Sequence, residues 1–236
     1  MVSSVSSAAP AAFLFDMDHT LINNDCDVSW KEFLMRAGLA PADSMEKADF
    51  FFAQYRQGRL DVPAFLRFQL AEFAGRTPAA MARLARRHFT AVVRPKIYVR
   101  GRRIVARALA TGRPVALLTA TNVVVARPLA QELGIRHLLG TQLEQRAGRF
   151  TGNLSGPYSG GTGKVLHAEA FCRKIGVELA QVTYYGDSLS DVPMLEAVGF
   201  PMVVNPGAEL RRIAVACGWK VLRFAAIEGN AARVCA

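Results

Sequence analysis

The stretch Ala11-Ala12-Phe13-Leu14-Phe15-Asp16-Met17-Asp18-His19-Thr20 decides how the rest of the chain is read. Its first half is a short apolar run of the kind that forms a buried strand of a parallel sheet. Its second half sets two carboxylates, Asp16 and Asp18, where such a strand would emerge, the end at which open α/β sheets bind ligands. Alternation along extended backbone puts both acids on one side, with Met17 turned away. Two carboxylates held that close repel unless a proton or a cation intervenes. The decapeptide fits a metal-assisted site in which one Asp attacks and the other handles protons. It fits equally well a polar strand exit with solvated acids.

After the exit Leu21–Asn24, the pattern from Asp25 to Val93 is helical throughout. Asp27 is placed to cap a helix that carries Trp30, Phe33 and Leu34 and stops at Gly38. Three more amphipathic helices are predicted over Ser44–Gln57, Asp61–Phe73 and Thr77–Val92, the last with Pro78 following a Thr cap. Beyond them strands and helices alternate. Helices are expected over Ile97–Thr111, Val123–Leu133, Lys164–Ile175, Leu189–Val198 and Leu210–Cys217. Strands are expected over Pro114–Thr119, Leu138–Glu144, Arg149–Asn153, Gln181–Tyr185, Pro201–Val204 and Trp219–Phe224, with a hairpin at Ala147-Gly148. This order predicts an α/β fold, a doubly wound parallel sheet with a helical insertion after its first strand. The core is assigned to 11–24 and 94–226 and the insertion to 25–93, with loose ends at 1–10 and 227–236.

The 236 residues carry a net charge of +10, unevenly spread. From Glu72 to Glu132 no acid intervenes while twelve Arg or Lys do, so removing them from the total leaves about −2 elsewhere. The basic 73–131 stretch lacks the interleaved aromatics of a single-strand-binding surface, which argues against nucleic acid as the partner. No apolar run approaches the roughly 20 residues of a membrane span. The start of the chain lacks the basic segment of a secretory signal. Cys26, Cys172, Cys217 and Cys235 are scattered in a pattern that suits neither a zinc site nor a disulfide framework. A cytoplasmic protein is expected.

Four groups fall at predicted strand ends or on helix starts beside them: Asp16/Asp18, Thr119, Lys164 and Asp187/Asp191. The loop Ser159–Gly163 before Lys164 is Gly-rich, but Val165 stands where a P-loop needs a hydroxyl, so a P-loop is rejected. Asp16, Asp18 and Asp187 offer the hard oxygen ligands that Mg²⁺ prefers. Thr119 and Lys164 offer a hydroxyl and a compact positive charge for phosphate oxygens.

The series Asp16-Met17-Asp18-His19-Thr20, Thr119, Lys164 and Gly186-Asp187-Ser188-Leu189-Ser190-Asp191 resembles, in order and spacing, the four motifs of the haloacid dehalogenase superfamily. The helical insertion resembles its class I cap. Asp191–Leu195 followed by Val204-Asn205-Pro206 resembles the phosphoserine-phosphatase-like subgroup, class IB. The resemblance implies a Mg²⁺-dependent phosphatase acting on a small phosphorylated metabolite. Asp16 would be the nucleophile that forms an aspartyl-phosphate, and Asp18 the general acid and base. Asp16, the backbone carbonyl of Asp18 and Asp187 would hold the metal. Thr119, Lys164 and the backbone at Ala120 would bind the phosphoryl group, and Asp191 would orient Lys164 or a metal-bound water.

Phosphoserine phosphatases of the subgroup carry a Glu where Asp25 stands here, and their Arg-rich cap segment has no match in Gln54-Tyr55-Arg56-Gln57-Gly58. Asp25 and Arg56 are therefore candidate substrate-specificity residues. Thr119-Ala120-Thr121-Asn122 resembles a branch that includes histidinol-phosphate phosphatases, so histidinol phosphate is the leading substrate. Phosphoserine, transfer of the phosphoryl group to an acceptor alcohol, and a non-catalytic regulator or nucleic-acid-binding protein on the same fold are the alternatives.

Overall fold

Strand β1, Ala12–Phe15, has Ala12 and Leu14 buried on one face and Phe15 buried on the other. That two-sided burial calls for a central parallel strand, and β1 takes that place. The computed structural model describes residues 9–229, apart from the side chain of Arg56. After β1 come α1 (Cys26–Arg36), α2 (Ser44–Arg56), α3 (Val62–Leu70), α4 (Pro78–His88) and α5 (Val99–Ala110). Then follow β2 (Val115–Asn122), α6 (Val123–Glu132), β3 (His137–Thr141), β4 (Leu143–Arg146), β5 (Arg149–Leu154) and α7 (Thr162–Ile175). The chain closes with β6 (Val182–Gly186), α8 (Val192–Ala197), β7 (Phe200–Val204), α9 (Ala208–Ala216) and β8 (Lys220–Leu222).

Six strands form one parallel sheet in the order β3-β2-β1-β6-β7-β8. The chain winds outward from β1 through β2 to β3, then returns to the other side of β1 with β6. Strands β1 and β6 therefore flank the point where the winding reverses, the place at whose carboxyl end open α/β sheets bind ligands. Apolar clusters cover both faces, one around Phe15, Leu117 and Tyr185 and the other around Leu14, Leu118 and Tyr184.

Three local expectations are corrected. The N-cap of α1 is Asp25, whose carboxylate accepts the Val28 N–H at 3.0 Å; Asp27 lies in the first turn. The Cys26 N–H, at the first position of the helix and without an intrahelical acceptor, bonds to Asp18. The expected strand Leu138–Glu144 is two strands. Chain after Thr141 leaves the sheet for the antiparallel β4–β5 hairpin, whose Phe150 packs edge-on against Phe73 with ring centroids 5.5 Å apart. Contact with the helical insertion outweighs continuation of the sheet. The expected helix from Leu189 begins as a 3₁₀ turn over Leu189–Asp191. Of the ends expected to be loose, 1–8 and 230–236 lie outside the described residues. Ile227 pairs with Tyr98, and Glu228 donates its N–H to Ile97 O at 2.9 Å while its carboxylate pairs with Arg102, so these two residues are tied down.

Helices α1–α4 are braced by buried polar groups. Lys31 is fully buried, with Nζ 2.5 Å from Glu72 Oε2, 2.7 Å from the Phe68 carbonyl oxygen and 4.1 Å above the Phe68 ring. A second chain of bonds crosses from the core: Lys96 donates to Asn24 at 2.7 Å, and Asn24 donates to Ser29 Oγ at 2.7 Å. Ser29 Oγ lies 3.0 Å from His88 Nε2. A neutral imidazole can take either part in this contact, because a serine hydroxyl both donates and accepts. Burial, and secondarily Lys96, lowers His88 to about 4, in keeping with that state.

Removing one member of a buried ion pair strands the other charge. Lys31→Met is expected to lower the unfolding free energy by about 3–5 kcal/mol in urea titrations, with Lys31→Met/Glu72→Leu recovering most of it. A single variant as stable as the wild type would contradict the bracing role.

Candidate active site

Asp16 follows β1 directly and Asp187 follows β6, so the sheet's winding alone brings them together at the switch point. The backbone turns sharply at His19, which takes a left-handed conformation with φ 54°. Thr20 is thereby folded back, its Oγ1 3.0 Å from Asp16 Oδ2 and 3.1 Å from Asp187 Oδ1. Lys164, in the first turn of α7 and buried, reaches Asp16 Oδ1 and Asp191 Oδ1, both at 2.6 Å. Asp191 is anchored on all sides. Its Oδ1 also accepts from Tyr184 Oη at 2.5 Å, and its Oδ2 accepts the N–H groups of Asp187 and Ser188 and the Ser188 hydroxyl. Gly186 is required here, because a Cβ on it would lie 2.8 Å from the Asp191 carboxyl carbon.

Asp18 sits apart from this cluster. Its Oδ1 accepts the Cys26 N–H and its Oδ2 the Thr121 hydroxyl, each at 2.8 Å. Thr119 is buried, and its Oγ1 accepts the Thr121 N–H at 3.1 Å, which leaves its own proton to donate elsewhere. The Ala120 carbonyl accepts from Thr141. Asp25 holds the α1 terminus through Oδ1, close enough to Asp18 to act on its proton affinity. The side chain of Arg56, on α2, lies outside the described residues.

Charge explains the proton affinities. Burial, with Asp25, Asp16 and Asp27 nearby, pushes Asp18 well above the usual carboxylate range. Burial, together with Asp191 and Asp16, does the same to Asp187. Asp16 is raised by burial despite Lys164. Burial by itself would lower Lys164, but Asp16 and Asp191 outweigh it and hold the ammonium well above its ordinary value. Asp191 alone is lowered, because Lys164 and its hydrogen-bond donors outweigh burial.

Asp16, Asp187 and Asp191 each present a carboxylate oxygen within 4.8 Å of the others. The single proton of Thr20 cannot serve Asp16 and Asp187 at once, so this pair is short of positive charge. All-oxygen donors with excess negative charge fit a hard divalent cation. Asp191 already accepts hydrogen bonds from Lys164, Tyr184 and Ser188.

Several participants were not foreseen: Thr20, Thr121, Tyr184 and Ser188. Thr121 lies two residues beyond Thr119, and β2, expected to end at Thr119, continues to Asn122 with a register shift. A strand reading carried two residues further would have found it. Tyr184 reads as a core aromatic, and nothing in the sequence marks its hydroxyl.

Residues 13–196 match the model of the haloacid dehalogenase-like hydrolase family. The chain is 35% identical over 216 residues to a histidinol-phosphatase of Neisseria meningitidis, covering 89% of this chain and 97% of that protein. It is 34% identical over 233 residues to a phosphoserine phosphatase of Mycobacterium tuberculosis, covering 95% and 74%. A crystal structure of a protein of unknown function from Bordetella pertussis superposes with a TM-score of 0.84 at 37% identity, covering 91% of this chain and 99% of that one.

Asp27, half-buried in the first turn of α1, is raised to about 7 by burial and Asp25, with Lys31 opposing. A carboxyl that binds its proton more tightly when folded destabilises the fold as pH rises from about 4 to about 7. Asp27→Asn is therefore expected to melt a few degrees above the wild type at pH 8, with the gap narrowing toward pH 4 in thermal scans. A gap that widened in acid would contradict the sign.

Proposed function

This chain belongs to the haloacid dehalogenase-like hydrolase family, and on that premise we propose that it hydrolyses small phosphomonoesters through a phosphoryl group carried on Asp16. The observation that carries the proposal is the Asp16 carboxylate at the switch point, clamped by a lysine that Asp191 holds in turn. Asp16 attacks phosphorus, and the P–O bond to the substrate alcohol breaks. Asp18, whose raised proton affinity suits a general acid, gives its proton to the departing oxygen. It then takes a proton from the water that attacks the acyl phosphate, and inorganic phosphate leaves with Asp16 restored. Lys164, Thr119 and the Ala120 backbone N–H stabilise the equatorial phosphoryl oxygens as charge redistributes.

Asp16, Asp187 and the Asp18 backbone carbonyl would hold Mg²⁺. When bound, the ion supplies positive charge that offsets the acids and polarises the phosphoryl group. Residues 25–93 serve as a cap over the core formed by 11–24 and 94–226, excluding water while the phosphoryl group is transferred.

For the substrate we favour histidinol phosphate. Asp25 and Asp27 both raise the proton affinity of Asp18, so the surroundings of Asp18 are acidic and suit an alcohol that bears cationic nitrogen. Phosphoserine would bring a carboxylate against those same acids. The similarity to the meningococcal histidinol-phosphatase runs along almost the whole of both chains.

With Mg²⁺, the purified protein is expected to release phosphate from histidinol phosphate at least about tenfold faster, in kcat/KM, than from phosphoserine. Asp16→Asn is expected to lose about 10³-fold or more in kcat while keeping its melting temperature. Chelation should abolish turnover and Mg²⁺ restore it. Full turnover by Asp16→Asn would overturn the nucleophile assignment, and a preference for phosphoserine would overturn the substrate.

A further inference from the structure

Tyr55, near the end of α2, reaches out of the helical insertion to the loop that carries Asp187 and Asp191. Its hydroxyl lies 2.9 Å from Ser190 Oγ and 3.5 Å from Ser188 Oγ. The two serine oxygens are 2.9 Å apart, and Ser188 Oγ is 3.0 Å from Asp191 Oδ2. Counting protons fixes the direction of every bond. Each hydroxyl has one proton, and an ionised carboxylate can only accept. Ser188 therefore donates to Asp191, Ser190 to Ser188, and Tyr55 to Ser190. Three donors in series point at Asp191, whose other oxygen holds Lys164 against Asp16. Chains of this kind polarise one another, so the last bond is stronger when the first is made.

We infer that Tyr55 is a positioning residue for phosphoryl transfer: seated over the loop, its hydroxyl completes the donor chain that fixes Asp191 and, through it, Lys164. The inference rests on the assignment of Asp16 as nucleophile. It gives the insertion a second task besides covering the site, because the lysine clamp is fully set only when α2 is in place. Tyr55 remains 42% exposed, so it contributes little to the core and its hydroxyl can be removed without disturbing packing.

The test uses the full chain with Mg²⁺ and an aryl phosphate, comparing Tyr55→Phe, Ser190→Ala and the double variant. Each single change is expected to lower kcat about three- to tenfold with KM nearly constant, the range that one hydrogen bond supports. The double variant should lose no more than the worse single one, because both break the same chain. Amide exchange at Asp187 and Ser188, whose N–H groups bond to Asp191, should quicken in Tyr55→Phe. An unchanged kcat, a loss confined to KM, or losses that multiply in the double variant would each overturn the inference. If the wild type hydrolysed no phosphomonoester, the Asp16 assignment would fall by itself. Amide exchange would then decide the inference, with unchanged rates refuting it.

Discussion

Negative charge buried without enough positive charge is the constraint on which the rest of this structure depends. Asp16, Asp187 and Asp191 converge within 4.8 Å, and among the described residues Lys164 is the one ammonium that bonds to them. Like charges this close stay ionised only if cations and donors compensate them. The surroundings are arranged to that end. Asp191 is neutralised by Lys164 and by hydrogen bonds from a tyrosine, a serine and two backbone amides. Asp16 and Asp187 share one threonine hydroxyl and remain charge-deficient, which is the state a divalent cation would relieve. Asp18, held away from the cluster by the Cys26 N–H and the Thr121 hydroxyl, has its proton affinity raised by burial and by the neighbouring Asp25, Asp16 and Asp27.

Much of this was legible in the sequence, for physical reasons. An apolar run followed by two alternating acids reads as a buried strand with a polar exit, and β1 is that strand, with Asp16 directly after it. Gly and Pro punctuation separates the four helices of the insertion, and each of the expected four is present. Details that failed were those settled by distant partners. Asp25 and Asp27 satisfy the same local capping rule, and Asp25 is the one whose carboxylate accepts the Val28 N–H. Leu138–Glu144 reads as one strand until Phe150 meets Phe73 and draws the second half into a hairpin. Tyr184 reads as a core aromatic and Tyr55 as one aromatic of an amphipathic helix; only the fold shows where their hydroxyls end.

The basic stretch 73–131 finds part of its explanation in the same terms. Arg102 pairs with Glu132 and Glu228, and Arg94 with Glu132, so some of this charge fastens the chain's return near residue 228 to α5 and α6. Among the described residues no helix is long and apolar enough to cross a membrane. The insertion is joined to the core through polar links, the largely buried Lys96–Asn24–Ser29–His88 chain on one side and the exposed Tyr55–Ser190 bond on the other. Its position and the state of the acidic centre are therefore coupled by hydrogen bonds as well as by shape.

The central claim is that Asp16 carries the phosphoryl group. Acid quenching during turnover of a phosphomonoester, followed by borohydride reduction and peptide mass analysis, tests it directly. Reduction of an acyl phosphate converts the aspartate that bore it to homoserine. The account predicts homoserine at position 16 and at no other acid of the cluster. Homoserine at 18, 187 or 191, or none at all while the enzyme turns over, would contradict it.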